Sequence, residues 1–233
     1  MQASSLRDTA GSRGLLLAGI LAPVVLTAAI VVAGHFEPGY SHVSQYVSEL
    51  GAVGASHQKA FSYGGLLFSG LLTALFALGM LLQVTPRASF IASSLLVALA
   101  GLGRLVAGIF PCDAGCVIED MSIPATIHAF AGFVALTSGA VAPLILAVGL
   151  RRHSHVQLLP LSVALGSASL ILVLILFGAG KGVPYAGVIQ RLILIAFYVW
   201  VVAVALKIET LRLTIGAEMT SDTRLEPTRE HGE

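Results

Sequence analysis

Leu158 to Gly178 read LLPLSVALGSASLILVLILFG, a stretch without a single charged side chain. A helix needs about 20 consecutive, mostly apolar residues to cross the hydrocarbon core of a bilayer. Lipid cannot hydrogen-bond to backbone N–H and C=O groups. An uninterrupted apolar run of this length therefore crosses the bilayer as a helix, in which these groups hydrogen-bond to one another. The stretch therefore predicts a membrane-spanning helix, and with it an integral membrane protein.

Five further stretches have the same character, and the overall composition agrees with them. Hydrophobic residues make up 56% of the 233-residue chain and charged residues 11%, whereas roughly a quarter of a typical soluble domain is charged. The runs are too long and too continuous for the strands of a membrane barrel. The sequence predicts an all-α fold, a polytopic bundle of six transmembrane helices. The predicted spans are 14–34, 62–82, 88–110, 127–150, 158–178 and 188–208.

Basic residues fall mostly on one side of this predicted bundle. If the spans alternate in direction, only Lys59, Lys181 and Arg191 lie on the side of the first, third and fifth loops. The positive-inside rule then makes residues 1–13 and the polar tail 209–233 cytoplasmic, in a protein of the cytoplasmic membrane. The tail has the composition of a disordered segment, and the first apolar run is longer than a cleavable signal core. The basic residues of the cytoplasmic side are Arg7, Arg13, Arg87, Arg151, Arg152, Lys207, Arg212, Arg224 and Arg229.

The densest polar segment of the chain is Tyr40 to Ala52 (YSHVSQYVSELGA), in the first outer loop. Between Ser41 and Gly51 similar residue types recur at intervals of three and four, the spacing of an amphipathic helix. The pattern predicts a short interfacial helix, which is either a simple cap over the bundle or one wall of a site. The polar side chains that it would offer to a site are His42, Ser44, Ser48 and Glu49.

Arg104 is the exceptional residue within the spans. It precedes Phe110 by six residues, which places it about 9 Å below the outer end of its helix. Arginine in the centre of a bilayer costs about 2.5 to 3.5 kcal/mol on insertion scales. We therefore expect a partner carboxylate or a bound anion, so that Arg104 is part of a structural ion pair, an anchor whose side chain snorkels to the outer surface, or an anion clamp near that surface.

Both cysteines lie in the acidic third outer loop, Phe110 to Asp120 (FPCDAGCVIED). Thiols outside the cytoplasm are commonly oxidised, so a disulfide between Cys112 and Cys116 is predicted, with Gly115 relieving the tight turn. Cys112, Cys116, Asp113 and His128 offer metal-ligating atoms, but no pair of them has the spacing of a zinc motif. No metal and no cofactor are expected.

The outer ends of the spans add two residues to the predicted site. His128 begins the fourth span, where it serves either as a hydrogen-bonded structural group or as a proton donor and acceptor. Arg191 stands at the head of the sixth span. The predicted binding residues are Arg104, Arg191, Ser44, Ser48 and His42, and the catalytic candidates are His128, Glu49 and Asp113.

Three of these motifs together carry a resemblance to a known family. They are Ser48-Glu49-Leu50-Gly51-Ala52 after the first span, Phe110-Pro111-Cys112-Asp113-x-x-Cys116 after the third, and His128 at the start of the fourth. In this order they resemble the bacterial and archaeal membrane family known as domain of unknown function 998, over residues 15–208. The resemblance implies an integral membrane protein of six helices with its distinctive residues on one face, and it implies no activity.

Three classes of function fit this sequence. The first is a protein that binds, and as an enzyme modifies, a membrane lipid with an anionic headgroup. The second is a small carrier that couples substrate or proton movement through the bundle, although the inner half of the spans holds no ionisable residue apart from Lys207. The third is a non-catalytic scaffold. Nucleic acid and nucleotide are not expected as partners, because basic patches with interleaved aromatic residues and a phosphate-loop spacing are both missing.

Overall fold

The computed structural model of the chain describes residues 10–83, 88–151, 158–178 and 183–225. Over these residues six helices are long and apolar enough to cross a membrane. The all-α fold and the multi-pass membrane protein are thus confirmed. Helix α2 begins with a wider π-helical segment, Ala60–Leu67, and continues as an α-helix over Phe68–Gln83. The other helices are α1 (Ala10–Phe36), α3 (Ala88–Ile109), α4 (Ile123–Leu150), α5 (Leu159–Gly178) and α6 (Ala186–Leu225).

Several helices extend beyond their predicted spans, and the extensions of α4 and α6 bear on the site and the tail. Helix α4 begins at Ile123, four residues before the predicted start at 127, because Ser122 caps it by accepting a hydrogen bond from the Ala125 amide. His128 consequently lies in the second turn of α4 and is buried. Helix α6 is continuous to Leu225, so residues 209–225 of the predicted tail are helical, and residues 226–233 lie outside the described part.

The six helices form a ring in chain order. Each helix contacts the next one along the chain, and α6 closes the ring against α1. The first and third loops meet at one end of the ring, where the Val53 amide donates to the Cys112 carbonyl at 2.9 Å. The amide of Val188, at the start of α6, donates at this end to the Val43 carbonyl. We call this the loop end, and the opposite end, where Arg13 pairs with Glu209 at 3.1 Å, the terminal end.

Small residues let α2 and α3 approach each other closely. A Cβ added to Gly101 would lie 2.7 Å from the Gly70 carbonyl oxygen and 2.7 Å from the Ala74 nitrogen. Gly101 and Arg104 are three residues apart, so they share one face of the helix. The glycine contact therefore turns the side chain of Arg104 into the ring.

Some of the residues used for the predicted orientation lie outside the described ranges. They are Arg7, Arg87, Arg152, Lys181 and Arg229.

Candidate functional site

Arg104 lies inside the ring, and its side chain is almost completely buried, with 4% exposure. Its Nη1 donates to the hydroxyl of Tyr198 on α6 at 2.8 Å and to Thr73 Oγ1 on α2 at 3.3 Å. The guanidinium carbon also lies 5.1 Å from the centre of the Tyr198 ring and 5.8 Å from that of Phe197, within the range of cation–π attraction. Three helices thus converge on this one cation.

The carboxylate expected beside Arg104 is not found among the described residues. Arg104 forms no ion pair with an acidic side chain there, and its Nε and Nη2 have no hydrogen-bond partner within the described ranges. The structural ion pair considered from the sequence is therefore wrong for this part of the chain. A buried cation held only by hydroxyls and aromatic faces retains a large uncompensated desolvation cost.

A cavity of about 350 Å³ opens beside Arg104 in the loop-end half of the ring. All six helices, the first loop and the third loop contribute to its wall. This volume falls in the range of small-molecule sites, and such sites are typically apolar with a few convergent polar groups. The polar side chains of this wall are Arg104, His128, Ser48, Tyr46 and Gln190, and most of the remaining wall is aliphatic or aromatic.

His128 reaches the same cavity from α4. Its Nδ1 lies 2.9 Å from the Ala107 carbonyl oxygen and 2.8 Å from that of Phe110. Because both partners are acceptors, Nδ1 carries the hydrogen and donates it. In the neutral ring Nε2 is then a hydrogen-bond acceptor, and it has no partner among the described residues. Ala107 follows Arg104 by one helical turn, so α3 brings the imidazole and the guanidinium to the same side of the cavity.

The first loop covers the loop end of the cavity with less helix than its spacing predicts. Regular structure is confined to a 3₁₀ helix, Val47–Gly51, because Tyr46 before it has an extended backbone. Val47 and Leu50 are buried beneath the loop, whereas Val43 is exposed, so only the second half of the predicted apolar stripe packs inward. The Val47 amide donates to Gln190 Oε1 on α6 at 2.6 Å, which ties this cover to the ring.

The carboxylate of Glu49 forms its hydrogen bonds within the first loop itself. Its Oε1 accepts from the Tyr46 amide at 2.8 Å and its Oε2 from Gln45 Nε2 at 2.8 Å. Burial, with a smaller contribution from this carboxylate, raises the pKa of the Tyr46 phenol. The geometry makes Glu49 a cap of the 3₁₀ helix, and it does not line the cavity.

Arg191 also lies outside the cavity wall and holds the first loop to α6. Its Nη1 donates to the carbonyls of His42 at 2.7 Å and of Gly187 at 2.9 Å, and its Nη2 donates to the Tyr40 hydroxyl at 2.7 Å. Nη2 is also 2.9 Å from Nδ1 of the His42 ring. Burial and then the nearby guanidinium lower the pKa of His42, while burial raises that of Tyr40. Arg191, a predicted binding residue, is therefore engaged by the first loop and does not line the Arg104 cavity.

The third loop contains the predicted disulfide between Cys112 and Cys116, which is confirmed. Gly115 within this turn has φ +70°, a conformation that glycine adopts without strain. Ser48 packs on the disulfide, with its Oγ 3.7 Å from Cys116 Sγ. The disulfide and Ser48 both line the cavity, so the third loop and the first loop form one continuous cover.

Asp113 and Ser44, two further predicted site residues, lie away from the cavity. The Asp113 carboxylate accepts from the Ser122 amide at 2.8 Å and from its hydroxyl at 2.7 Å, at the start of α4. These hydrogen bonds lower the pKa of the carboxyl. The Ser44 amide donates to Ser41 Oγ in an exposed turn. Among the described residues no group of three or more His, Cys, Asp or Glu side chains is arranged to hold a metal.

Comparison with known families agrees with the motif resemblance. Residues 20–207 match the model of a family described as "Protein of unknown function (DUF998)". Neither the curated proteins nor the solved structures contain a match to the chain.

Proposed function

The chain belongs to the DUF998 family, and we propose that it binds a membrane amphiphile whose anionic headgroup rests on Arg104 inside the loop-end cavity. The single observation that carries this proposal is the state of Arg104. Its guanidinium is buried, has no acidic partner among the described residues, and borders a cavity of about 350 Å³. An anion in that cavity would compensate the charge with charge-assisted hydrogen bonds, which are the strong ones in proteins.

The rest of the cavity wall favours an amphiphile over a small hydrophilic anion. Leu26, Leu66, Leu136 and Leu194 line it from four different helices. A fully solvated anion would gain nothing from such a surface, whereas a lipid buries hydrocarbon against it and places its charge on Arg104. The polar groups nearest the cover, Ser48 and Gln190, suit the neutral hydroxyls and esters that adjoin a lipid phosphate.

His128 remains the candidate for proton transfer if the bound lipid is also modified. Its fixed tautomer leaves Nε2 as an acceptor on the cavity side of the ring. Glu49 and Asp113 are engaged in capping, so the proposal no longer includes them as acid or base.

The carrier alternative has less support in this conformation. Beyond Tyr198, towards the terminal end, the interior contains Phe76 and Trp200, both fully buried. Trp200 donates to Ser162 Oγ across to α5 at 3.0 Å. A path through the bundle would require these side chains to move apart.

We predict that the protein, extracted with a mild detergent from membranes of mixed lipid composition, retains an anionic lipid that mass spectrometry identifies. In Arg104→Gln the retained anionic lipid should fall about 10- to 100-fold, because a hydrogen bond to a charged group contributes about 1.5 to 3 kcal/mol. Arg13→Gln removes an arginine at the terminal end and serves as the matched control. Equal lipid retention in wild type and Arg104→Gln would reject the proposal.

A further inference from the structure

We propose that the ligand is a membrane lipid that reaches Arg104 sideways, between α4 and α5, and keeps its hydrocarbon chain in the gap between Phe133 and Phe177. This inference rests on the proposed function and specifies the source and the route of the ligand. The residues that form the wall of the cavity differ in exposure from one side of the ring to the other.

At the loop end, the described residues of the first loop are fastened over the cavity by hydrogen bonds. The 3₁₀ helix is held to α6 by the hydrogen bond from Val47 to Gln190. Its other side is held through Ser48 to the disulfide. Arg191 adds hydrogen bonds to two loop carbonyls, those of His42 and Gln45. Access beneath the first loop would break several of these contacts at once.

The wall formed by α1, α2, α3 and α6 is also closed. The residues that these helices contribute to it are buried, apart from the partly buried Gln190. Leu26 and Leu66 from α1 and α2, Ala107 from α3 and Leu194 from α6 are all less than a tenth exposed. These side chains separate the cavity from the outer surface of the ring.

The wall between α4 and α5 is different. Phe133 on α4 and Phe177 on α5 both line the cavity, yet they are 44% and 45% exposed. Their rings meet edge to face with centroids 5.1 Å apart. Gly132 lines the cavity beside them, and a Cβ added there would meet no atom within 4 Å. At this position the cavity is therefore bordered by partly exposed aromatic side chains beside open space.

The size of the cavity and the polarity of this route indicate which kind of ligand enters. A cavity of about 350 Å³ lies at the small end of the range for ligand sites, so the chains of a two-chain lipid must remain outside while the headgroup is inside. Phe133 and Phe177 are apolar and belong to two of the membrane-spanning helices, and a free hydrophilic anion does not travel through the hydrocarbon region. The buried cation selects an anionic headgroup, and the aromatic gap accommodates the chain.

The test is photocrosslinking in bilayers of phosphatidylcholine with a minor share of anionic phosphatidylglycerol. The photoreactive residue p-benzoylphenylalanine is placed at Phe133 or at Phe177. The control position is Phe130, which is also on α4 and 69% exposed, but does not line the cavity. Each version is made with Arg104 intact and with Arg104→Gln, and the crosslinked lipid is identified by mass spectrometry.

We expect adducts at Phe133 and Phe177 to be enriched about tenfold in the anionic lipid over the bilayer composition, because headgroup binding by a buried arginine contributes on this scale. The enrichment should disappear with Arg104→Gln, and adducts at Phe130 should match the bilayer in both backgrounds. If adducts at all three positions match the bilayer while anionic lipid still co-purifies in an Arg104-dependent way, the route is wrong and the proposed function stands. If no lipid depends on Arg104, the proposed function fails together with the route.

Discussion

At the scale of single residues, the buried cation Arg104 has an unusual set of partners. Tyr198 and Thr73 supply hydroxyl oxygens to one nitrogen of the guanidinium, and aromatic faces supply the rest of its surroundings. Neutral partners of this kind hold the side chain in place but do not neutralise its charge. The residue is therefore expected to reduce stability in the absence of ligand, which is a common property of binding sites.

Replacing Arg104 with an apolar residue of similar length tests this expectation directly. In detergent without anionic lipid, Arg104→Met should leave the thermal midpoint unchanged or raise it, because exchanging buried ionic groups for apolar ones is often neutral or stabilising by about 1 to 4 kcal/mol. Thr73 Oγ1 and the Tyr198 hydroxyl are 3.4 Å apart, so they can satisfy each other once Arg104 is gone.

Tyr198→Phe is the matched control for this measurement. It retains the charge and removes the closer of its two hydroxyl partners, so its thermal midpoint should fall. A midpoint for Arg104→Met below that of Tyr198→Phe would contradict the idea that the charge is a stability cost.

Part of this site is detectable from the sequence, for a physical reason. Arg104 and His128 are detectable because charged or polar side chains are rare within spans. Tyr198 is not, since an aromatic residue in an apolar run gives no sign that its hydroxyl meets a residue 94 positions earlier. Charge and position near the outer surface make Arg191 and Glu49 candidates, but neither reveals that nearby backbone groups already form hydrogen bonds with them.

At the scale of helices and loops, the contact between α2 and α3 determines how deeply Arg104 is buried. Gly101→Ala would place a methyl group 2.7 Å from backbone atoms of α2, which cannot rotate away. We expect a loss of about 1 to 3 kcal/mol in the free energy of unfolding, the usual cost of overpacking, and a lower thermal midpoint in detergent. Gly64→Ala, in the π-helical start of α2, meets no atom within 4 Å and should cause no loss. Equal effects of the two substitutions would show that close helix contact is not what Gly101 provides.

The first loop is an element to whose attachment Arg191 contributes several hydrogen bonds. Arg191 donates to three backbone carbonyls and to the Tyr40 hydroxyl. Arg191→Gln should therefore accelerate hydrogen exchange of the amides from Val47 to Gly51 by about 10-fold or more, since each lost hydrogen bond to a charged group contributes about 1.5 to 3 kcal/mol.

Arg13→Gln, which alters an exposed arginine at the terminal end, is the control for that exchange measurement. Unchanged exchange in Arg191→Gln would mean that Val47, Leu50 and Gln190 hold the loop without it, and that Arg191 is available for another role.

At the scale of the whole molecule, the number of spans follows from the sequence while their arrangement does not. Apolar length is a local property, so each of the six spans was recognised within a few residues of its ends. The closure of the ring by α6 against α1, and the cavity inside it, depend on contacts between residues far apart in the chain. Periodicity within one span does not encode which neighbour its face will meet.

The orientation of the whole molecule in the membrane decides which compartment the cavity adjoins. We propose that both termini are cytoplasmic, because Arg13, Arg151 and Arg212 lie at the terminal end and favour the cytoplasmic side. The disulfide at the loop end supports this orientation, since such bonds persist outside the reducing cytoplasm.

Cys112→Ser leaves Cys116 as the only thiol of the chain. A membrane-impermeant maleimide should then label it in intact cells. Thr214→Cys, made without either native cysteine, places a thiol on the terminal half of α6 and should react only after the membrane is permeabilised. The reverse pattern of labelling would invert the molecule and place the Arg104 cavity in the inner leaflet.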